Sequence, residues 1–236
     1  LDKIASPGEI GAVFVEPIMC DAGDVVPAPG FLRGLSELCQ SRDILLVCDE
    51  VKVGLGRTGL MHAFAHEGIT PDIVTFGKAI GGGLPLAAAV GPAHIMNAAR
   101  GLTVTTVAGN PVSCAAGRAV LQTIAAERLV ENARDRGNQF LDGLRKIKDR
   151  HPVVGDVRGR GLVIGIDFVE PGSRRAPAEG FASRVSQAAL RLGAVAFSVG
   201  HQGNVLELTP PLTVSAAEVA LALDILDQAI AQAEAA

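Results

Sequence analysis

The chain has 236 residues, of which 48% are hydrophobic and 19% are charged, and its formal net charge is −4. This length is sufficient for one or two hydrophobic cores. The basic residues are scattered, which argues against a nucleic-acid partner. The sequence has no apolar run near the roughly 20 residues of a membrane helix, which argues against a membrane protein.

The four cysteines indicate neither a disulfide framework nor a metal site. Cys20, Cys39, Cys48 and Cys114 form no Cys-x-x-Cys pair and have no zinc-like spacing with histidine. The printed sequence also shows no secretory signal pattern, in which a charged stretch is followed by an apolar stretch and a cleavage site. We therefore expect a cytoplasmic protein in a reducing compartment, without a metal, in which Cys48 and Cys114 are buried thiols.

The first third of the chain alternates apolar runs with a helical pattern. The runs Gly11–Ile18, Ile44–Cys48 and Ile73–Phe76 have the length and composition of buried strands. Between the first two, Pro29–Ser41 carries apolar residues at helical spacing, with proline in a permitted first turn. The succession of strand, helix and strand predicts a βαβ unit of a doubly wound parallel sheet.

The middle of the chain predicts one more strand and three helices. Ala87–Val90 has a strand pattern, and helices are expected over Ala93–Arg100, Pro111–Ala126 and Glu127–Arg150. The last helix carries an apolar stripe that we expect to be buried. Its residues are Leu129, Ala133, Phe140, Leu144 and Ile147.

Beyond residue 150 the pattern changes to short strands between two helices. The helices are expected over Ala178–Leu192 and Ser215–Ala235, the second with a capping box formed by Ser215 and Glu218. The predicted strands are Val153–Val157, Leu162–Val169, Val195–Val199 and Val205–Leu208. We therefore predict an α/β fold in which residues 1–125 belong to a large, mainly parallel-sheet domain and residues 126–236 form a smaller α+β domain.

Two charged side chains follow neighbouring strands of the predicted sheet. Asp49 ends the second apolar run, and Lys78 comes shortly after the third. The carboxyl ends of parallel strands meet at one edge of a sheet, so one crevice receives an acid and an amine. An aldehyde cofactor with a basic ring nitrogen requires this pair, because the amine forms a Schiff base and the acid keeps the ring protonated. Spacing alone fits a surface ion pair equally well.

Longer motifs favour the cofactor. The strings LLVCDEVKVGLGRTG and PDIVTFGKAIGGGLPL, followed by GNPVSCAAG and GDVRGRGL, resemble the class-III aminotransferase family of fold-type-I pyridoxal-phosphate enzymes. The resemblance covers almost the whole chain and implies pyridoxal 5'-phosphate as the cofactor. Members of this family are much longer and carry an upstream phosphate-binding loop and a ring-stacking aromatic residue. We therefore expect this chain to be the C-terminal half of such a protein.

The resemblance assigns roles to four residues. Lys78 forms the Schiff base and later moves the proton of the substrate Cα, and Asp49 is the partner of the ring nitrogen. Val51 packs on one face of the ring, although plain core packing would explain it as well. Thr106 reaches the cofactor phosphate of the neighbouring subunit, unless its hydroxyl is satisfied within its own loop. The role of Thr106 implies a homodimer with a shared active site.

Three further positions depart from the usual transaminase pattern. By the family resemblance, Lys52 stands where most members carry glutamine, and Asp21 where many carry glutamate. Glu207 lies in the stretch where members that use 2-oxoglutarate hold an arginine for the substrate carboxylate.

The strings EPIMCDAG, CDEVKVG and GNVLELTPPLT resemble the branch that contains 2-amino-6-hexanelactam racemase. That branch implies that Asp21 and Lys52 are hydrogen-bonded near the substrate and help to protonate Cα opposite Lys78; otherwise they form a structural ion pair.

This resemblance implies an enzyme that racemises a small amino substrate, a 2-amino lactam or an α-amino amide. Racemisation needs proton donors on both faces of a planar carbanion, whereas transamination protonates the cofactor instead. One alternative is an ω-amino-acid or 4-aminobutyrate-type transaminase. The other is an inactive fragment that lacks the first half of the site.

Overall fold

The structure is a computed structural model that describes residues 6, 8–98, 106–170, 172–173 and 176–235. The chain divides into two compact units. The first unit comprises Leu1–Pro17, Pro27–Gly56 and Leu60–Arg128, and the second comprises Ile18–Val26, Arg57–Gly59 and Leu129–Ala236.

The first unit is built on a four-stranded sheet whose strands lie in sequence order. They are β1 (Ala12–Val15), β2 (Leu45–Asp49), β3 (Ile73–Phe76) and β4 (Ala88–Val90). The first three strands are parallel, and β4 runs antiparallel to β3. The predicted mainly parallel sheet is confirmed, and Cys48 in β2 is fully buried as expected.

Helix α1 (Phe31–Ser41) connects β1 to β2 and completes the predicted βαβ unit. The prediction that the helix begins at Pro29 is wrong, because Gly30 has a left-handed backbone with φ 85°. A residue in this conformation cannot continue a right-handed helix, and glycine adopts it without steric cost. The Gly30 amide donates instead to Oε2 of Glu67 at 2.7 Å, which fixes the start of the helix.

Two further helices, α2 (Ala93–Met96) and α3 (Pro111–Ala126), follow β4. Helix α2 ends before the predicted limit at Arg100, which itself lies outside the described residues. Helix α3 has the predicted bounds. Oδ1 of Asn110 caps it by accepting hydrogen bonds from two amides of the first turn, at 3.0 and 3.2 Å. Cys114 in α3 is half-buried, so its predicted full burial is wrong.

In the described part of the second unit, an antiparallel sheet packs with three helices. Its strands are β5 (Val154–Arg160), β6 (Val163–Phe168), β7 (Phe197–Val199) and β8 (Val205–Leu208), in the spatial order β5-β6-β8-β7. Its helices are α4 (Leu129–Arg150), α5 (Phe181–Arg191) and α6 (Ala216–Glu234). Within the described residues, every helix is too short or too polar to cross a membrane.

The main core of the second unit joins the helices to the sheet. Phe140 and Leu144 of α4, Val185 of α5, Ile230 of α6 and Phe168 of β6 belong to it, each at most 2% exposed. Burial of a large apolar side chain stabilises the fold by about 1.5–3 kcal/mol relative to its exposure. The predicted apolar stripe of α4 is confirmed, because all of its residues are buried. The capping box at the start of α6 is also confirmed.

Two short segments from early in the chain, Ile18–Val26 and Arg57–Gly59, also belong to the second unit. A Cβ atom placed on Gly165 of β6 would lie 3.0 Å from Cβ of Asp24, so the first segment lies directly against this strand. The amide of Leu162 donates to the carbonyl of the first residue of the second segment at 2.9 Å. These contacts bring polar residues from the first quarter of the chain onto the sheet.

Two glycines of α4 give a matched test of the packing in the second unit. A Cβ atom on Gly137 would lie 2.1 Å from the carbonyl oxygen of Gly161, whereas one on Gly143 would lie 2.3 Å from Cδ1 of Leu223. The first obstacle is backbone and the second is the end of a flexible side chain. We expect Gly137→Ala to lower the free energy of unfolding by about 3 kcal/mol. We expect Gly143→Ala to change it by less than about 1 kcal/mol, because alanine favours the helix.

Urea unfolding of the two variants measures this difference. Similar losses in both variants would contradict the close approach of α4 to the turn between β5 and β6.

Candidate active site

The structure places Asp49 and Lys78 at the carboxyl ends of two adjacent parallel strands. Asp49 is the last residue of β2 and pairs in register with Thr75 of β3. Lys78 follows β3 directly after Gly77 and is exposed. Both side chains therefore belong to one edge of the sheet in the first unit, where ligands of α/β proteins bind.

The carboxylate of Asp49 is held in a fixed orientation. Its Oδ1 accepts one hydrogen bond from the amide of Val51 at 2.9 Å and another from the hydroxyl of Thr75 at 3.1 Å. In the part of the chain that the structure describes, Oδ2 accepts none, so this oxygen is available to a ligand donor. Sequence reasoning missed Thr75, although a hydroxyl on the strand beside an essential acid is a recognisable signal.

Val51 contacts the backbone that leads into Lys78. A Cβ atom on Gly77 would lie 3.1 Å from Cγ1 of Val51, so the valine side chain lies against the glycine. Val51 is half-buried. Its predicted contact with a cofactor ring stays a prediction, but its position between the acid and the amine is compatible with that role.

Lys78 has an unusual backbone conformation. Its φ is 46°, in the left-handed region, and it starts a 3₁₀ turn that extends to Gly81. A non-glycine residue in such a conformation costs about 1 kcal/mol or more, and such residues cluster at functional sites. Helix α3 supports the turn closely, since a Cβ atom on Gly117 would lie 3.1 Å from the carbonyl oxygen of Ile80.

Glu50 holds the loop that follows β2. Its side chain is 1% exposed, and its carboxylate oxygens accept hydrogen bonds from the amides of Ala63 and Phe64, both at 2.9 Å. Burial raises the pKa of Glu50, and the two amides act in the opposite direction. Glu50 is therefore a structural anchor beside Asp49, a role that the sequence analysis did not assign.

His62 lies among aromatic rings near the end of β3. Its ring stacks on Phe64 with the centroids 5.1 Å apart, and it meets Phe76 at 5.7 Å. Its Nδ1 is buried and has no hydrogen-bond partner within the described residues. Burial lowers the pKa of His62, because the apolar surroundings disfavour the imidazolium.

Asp21 and Lys52 are described here within their own units. Lys52 is half-buried in the turn that follows β2 in the first unit. Asp21 is exposed in the second unit, where its carbonyl oxygen accepts a hydrogen bond from the amide of Gly200 at 3.1 Å. The hydrogen bond predicted between their side chains stays a prediction.

Thr106 lies in a turn that precedes the Asn110 cap of α3, and it is exposed. The exposed hydroxyl is accessible to a ligand. Residues 101–105 of the same predicted loop lie outside the described residues. The predicted contact of Thr106 with a phosphate stays a prediction.

Glu207 belongs to a buried polar cluster in the second unit. The side chains of Glu207, Cys20 and Asp24 are at most 3% exposed, and one ligand atom of each lies within 4.8 Å of the others. Burial lowers the pKa of Arg57, while Glu207 and Cys20 act to raise it. The Arg57 guanidinium donates to the carbonyl of Pro210. A thiol with two carboxylates could coordinate a divalent cation, but this guanidinium already supplies positive charge and opposes a metal.

The residues at the edge of the first sheet fit pyridoxal phosphate. The exposed amine of Lys78 suits an aldehyde, and Oδ2 of Asp49 suits a protonated ring nitrogen. Val51 offers an apolar surface, and Gly77 leaves the space that a larger residue would take. Thr106 would add a donor for the phosphate. These four side chains and this glycine are the groups that would hold the cofactor.

The aromatic environment of His62 predicts a pH-dependent stability. Because the folded pKa lies below the unfolded value of 6.5, the unfolded state binds more protons between these two values, and stability falls as the pH decreases through that window. When the pH is lowered from about 7.5 to about 5.5, the wild type should lose up to about 1 kcal/mol of unfolding free energy that His62→Phe retains. His94→Phe, at an exposed position of α2, is the control and should follow the wild type. Urea unfolding at both pH values measures the effect, and a parallel pH dependence in all three proteins would contradict it.

The hydrogen bond from Thr75 predicts a contribution to cofactor affinity. Thr75→Val keeps the shape of the side chain but removes the donor that orients Asp49. We expect pyridoxal phosphate to bind roughly fivefold more weakly, which corresponds to about 1 kcal/mol for one hydrogen bond. Thr75→Ser should retain most of the affinity. A spectroscopic titration measures both, and an unchanged affinity in Thr75→Val would show that Asp49 does not depend on this bond.

Comparison with known proteins identifies the family. The model of the family described as aminotransferase class-III matches residues 3–230. The 4-aminobutyrate aminotransferase GabT of Escherichia coli (strain K12) is 38% identical over 231 residues, which are 98% of this chain and 54% of that protein. An alanine/serine racemase of Pyrococcus horikoshii is 39% identical over 227 residues, which are 96% of this chain and 48% of that protein.

A solved structure agrees in fold and in cofactor. An amine transaminase from an uncultivated Pseudomonas species, in its PLP-bound form, superposes with a TM-score of 0.88 at 35% identity and covers 94% of this chain and 52% of its own. The chain thus spans about half the length of the relatives that it matches. With its parallel sheet and its acid and amine at one edge, the chain belongs to the class-III aminotransferase family, whose cofactor is pyridoxal phosphate.

Proposed function

We propose that the protein is a pyridoxal-phosphate-dependent racemase of a 2-amino lactam or a related α-amino amide. The observation that carries this proposal is the burial of Glu207, which is 3% exposed. By the family resemblance, Glu207 lies in the stretch where members that use 2-oxoglutarate hold an arginine. A carboxylate in a poorly solvated site repels a second carboxylate strongly, whereas a neutral amide is tolerated.

The surroundings of Glu207 support a substrate without a carboxylate. Asp24 adds a second buried carboxyl group close to Glu207. Arg57, the cation that acts on this cluster, donates to the carbonyl oxygens of Leu162 and Pro210. Because its guanidinium is engaged in these bonds, the half-buried Arg57 is a poor candidate for binding a substrate carboxylate in the way of an unengaged arginine fork.

The names of the relatives support racemisation as a reaction of this family. The relative from Pyrococcus horikoshii is named an alanine/serine racemase and is 39% identical to this chain. Racemisation removes the Cα proton from one face and returns it to the other, so the enzyme needs a proton carrier on each side.

The residues of this chain would supply both carriers. Pyridoxal phosphate, when bound, acts as an electron sink that makes the Cα–H bond of an amino substrate acidic. Lys78 would hold the cofactor aldehyde and move the Cα proton on one side of the substrate. Asp21, together with Lys52, would move it on the opposite side. Asp49 would keep the ring nitrogen protonated through the oxygen that its neighbours leave available.

We also propose that the protein acts as a homodimer. The family resemblance gives Thr106 a contact with the cofactor phosphate of the neighbouring subunit, and the exposure of Thr106 is compatible with this contact. Two chains would then complete each active site.

A second candidate is an ω-amino-acid transaminase of the 4-aminobutyrate type. It is favoured by the 38% identity to the Escherichia coli 4-aminobutyrate aminotransferase. Such an enzyme would require a keto acid as amino acceptor. It would also have to bind the substrate carboxylate at a place away from Glu207. This requirement separates the two candidates experimentally.

The test uses the purified protein, pyridoxal phosphate and one enantiomer of 2-amino-6-hexanelactam, without a keto acid. We expect the opposite enantiomer to appear on chiral chromatography. Lys78→Ala should reduce the rate at least about 1,000-fold, because it removes a general base. Lys146→Ala, at an exposed position of α4, is the matched control and should leave the rate unchanged.

The remaining outcomes identify the alternatives. Turnover that begins only when a keto acid is added would refute the racemase function and support the transaminase function. Absence of the cofactor spectrum would indicate that this chain alone lacks part of the cofactor site.

A further inference from the structure

The residue that is proposed to act opposite Lys78 lies at the tip of a tightly held turn. Met19 and Val25 pair across the base of this turn through two backbone hydrogen bonds. Inside it, the carbonyl of Cys20 accepts hydrogen bonds from the amides of Gly23 and Asp24, at 2.8 and 2.9 Å. Residues 19–25, which we call the Asp21 turn, therefore have a closed backbone with an exposed Asp21 at the tip.

One side chain from β5 binds the backbone of the Asp21 turn. Arg158 donates to the carbonyl oxygen of Gly23 twice, from Nε at 3.0 Å and from Nη2 at 2.7 Å. A guanidinium can make this double contact because its donors are fixed in one plane, whereas the ammonium of lysine cannot. The contact lies within the second unit and depends on neither cofactor nor substrate.

Arg158 is itself held by two acids. Its Nη1 donates to Asp167 at 2.9 Å and to Asp156 at 3.0 Å. The amide of the Asn204 side chain donates to the second oxygen of Asp167 at 2.6 Å. Burial lowers the pKa of Arg158, but the two carboxylates outweigh this effect and raise it. Three nitrogens of one guanidinium thus connect β5 and β6 to the Asp21 turn.

The opposite side of the turn is also fixed. The amide of Gly200 donates to the carbonyl of Asp21 at 3.1 Å. A Cβ atom on Gly23 would lie 3.0 Å from Cγ2 of Val205, so the turn lies against β8. The tip is therefore restrained on both sides, while the Asp21 side chain remains exposed.

We propose that Arg158 is a positioning residue for Asp21. Its two hydrogen bonds to the carbonyl of Gly23 fix the backbone of the turn, and this fixes the position from which the Asp21 carboxylate exchanges a proton with the substrate. The inference rests on the proposed racemase function. A displacement of about 1 Å at a proton donor reduces its efficiency strongly, so the rigidity of the turn is a requirement for catalysis on that side and not for cofactor binding. The sequence motif GDVRGRGL contains this arginine.

The first measurement tests the geometry and needs no activity. Amide hydrogen exchange of residues 18–26 is compared in wild type, Arg158→Lys and Arg160→Lys. We expect Arg158→Lys to accelerate exchange in this segment at least tenfold, because the double contact to Gly23 is lost. Arg160→Lys is the matched control, two residues along the same strand, and should exchange like the wild type. Unchanged exchange in Arg158→Lys would overturn the proposal, whatever the protein catalyses.

The second measurement tests the consequence for the reaction. In deuterated water, the wild type should incorporate deuterium at Cα of the lactam with inversion as well as with retention. Arg158→Lys should lower incorporation with inversion at least tenfold relative to retention and leave the cofactor spectrum unchanged. Asp21→Asn should give the same pattern, and the double variant should lose no more than either single variant. Independent, additive losses would overturn the positioning role.

One further control variant keeps the outcomes distinct. Asp167→Asn weakens the support of Arg158 without removing the arginine, and it should show a smaller effect of the same kind in both measurements. It replaces Arg158→Lys if that variant does not fold. A wild type that binds cofactor but does not racemise would refute the proposed function, while the exchange measurement would still decide whether Arg158 fixes the turn.

Discussion

The parallel pairing of β2 with β3 is the constraint on which the rest of the candidate site depends. The register places Asp49 beside Thr75, and the Thr75 hydroxyl donates to the Asp49 carboxylate across the two strands. Because side chains alternate between the faces of a sheet, a slip of one residue would turn Asp49 to the opposite face. The same register brings Val51 against Gly77, directly before Lys78. One strand pairing thus fixes the acid, the apolar contact and the amine together.

Two adjacent carboxylates at the end of β2 have different tasks. Glu50 is almost fully buried and accepts two backbone hydrogen bonds, so it stabilises the following loop. A Cβ atom on Gly54 would lie 2.8 Å from the carbonyl oxygen of Glu50, which shows how closely this loop returns. Asp49 is only half-buried, and among the described residues one of its oxygens accepts no hydrogen bond. The anchor gives the loop a fixed conformation without engaging the carboxylate of Asp49.

Sequence patterns predicted most of the elements but not the local geometry of the site. Apolar runs and helical spacing gave the strands and the bounds of α3, because burial dictates both patterns. The left-handed φ of Lys78 could not be predicted, since apolar periodicity carries no information on a strained backbone at a non-glycine residue. The segments Ile18–Val26 and Arg57–Gly59 belong to the second unit through long-range contacts that periodicity does not encode. For the same reason, the two hydrogen bonds from Arg158 to the Asp21 turn could be found only in the structure.

The buried charges of the second unit show how selectivity can arise from exclusion. Glu207 and Asp24 lie close together at low exposure, and the half-buried Arg57 acts on Glu207. Two buried carboxyl groups close together make the approach of a third carboxylate costly, because poor solvation screens the repulsion weakly. A neutral amide meets no such barrier. A cluster of this kind would therefore select against carboxylate substrates by exclusion, without a contact that recognises a neutral one.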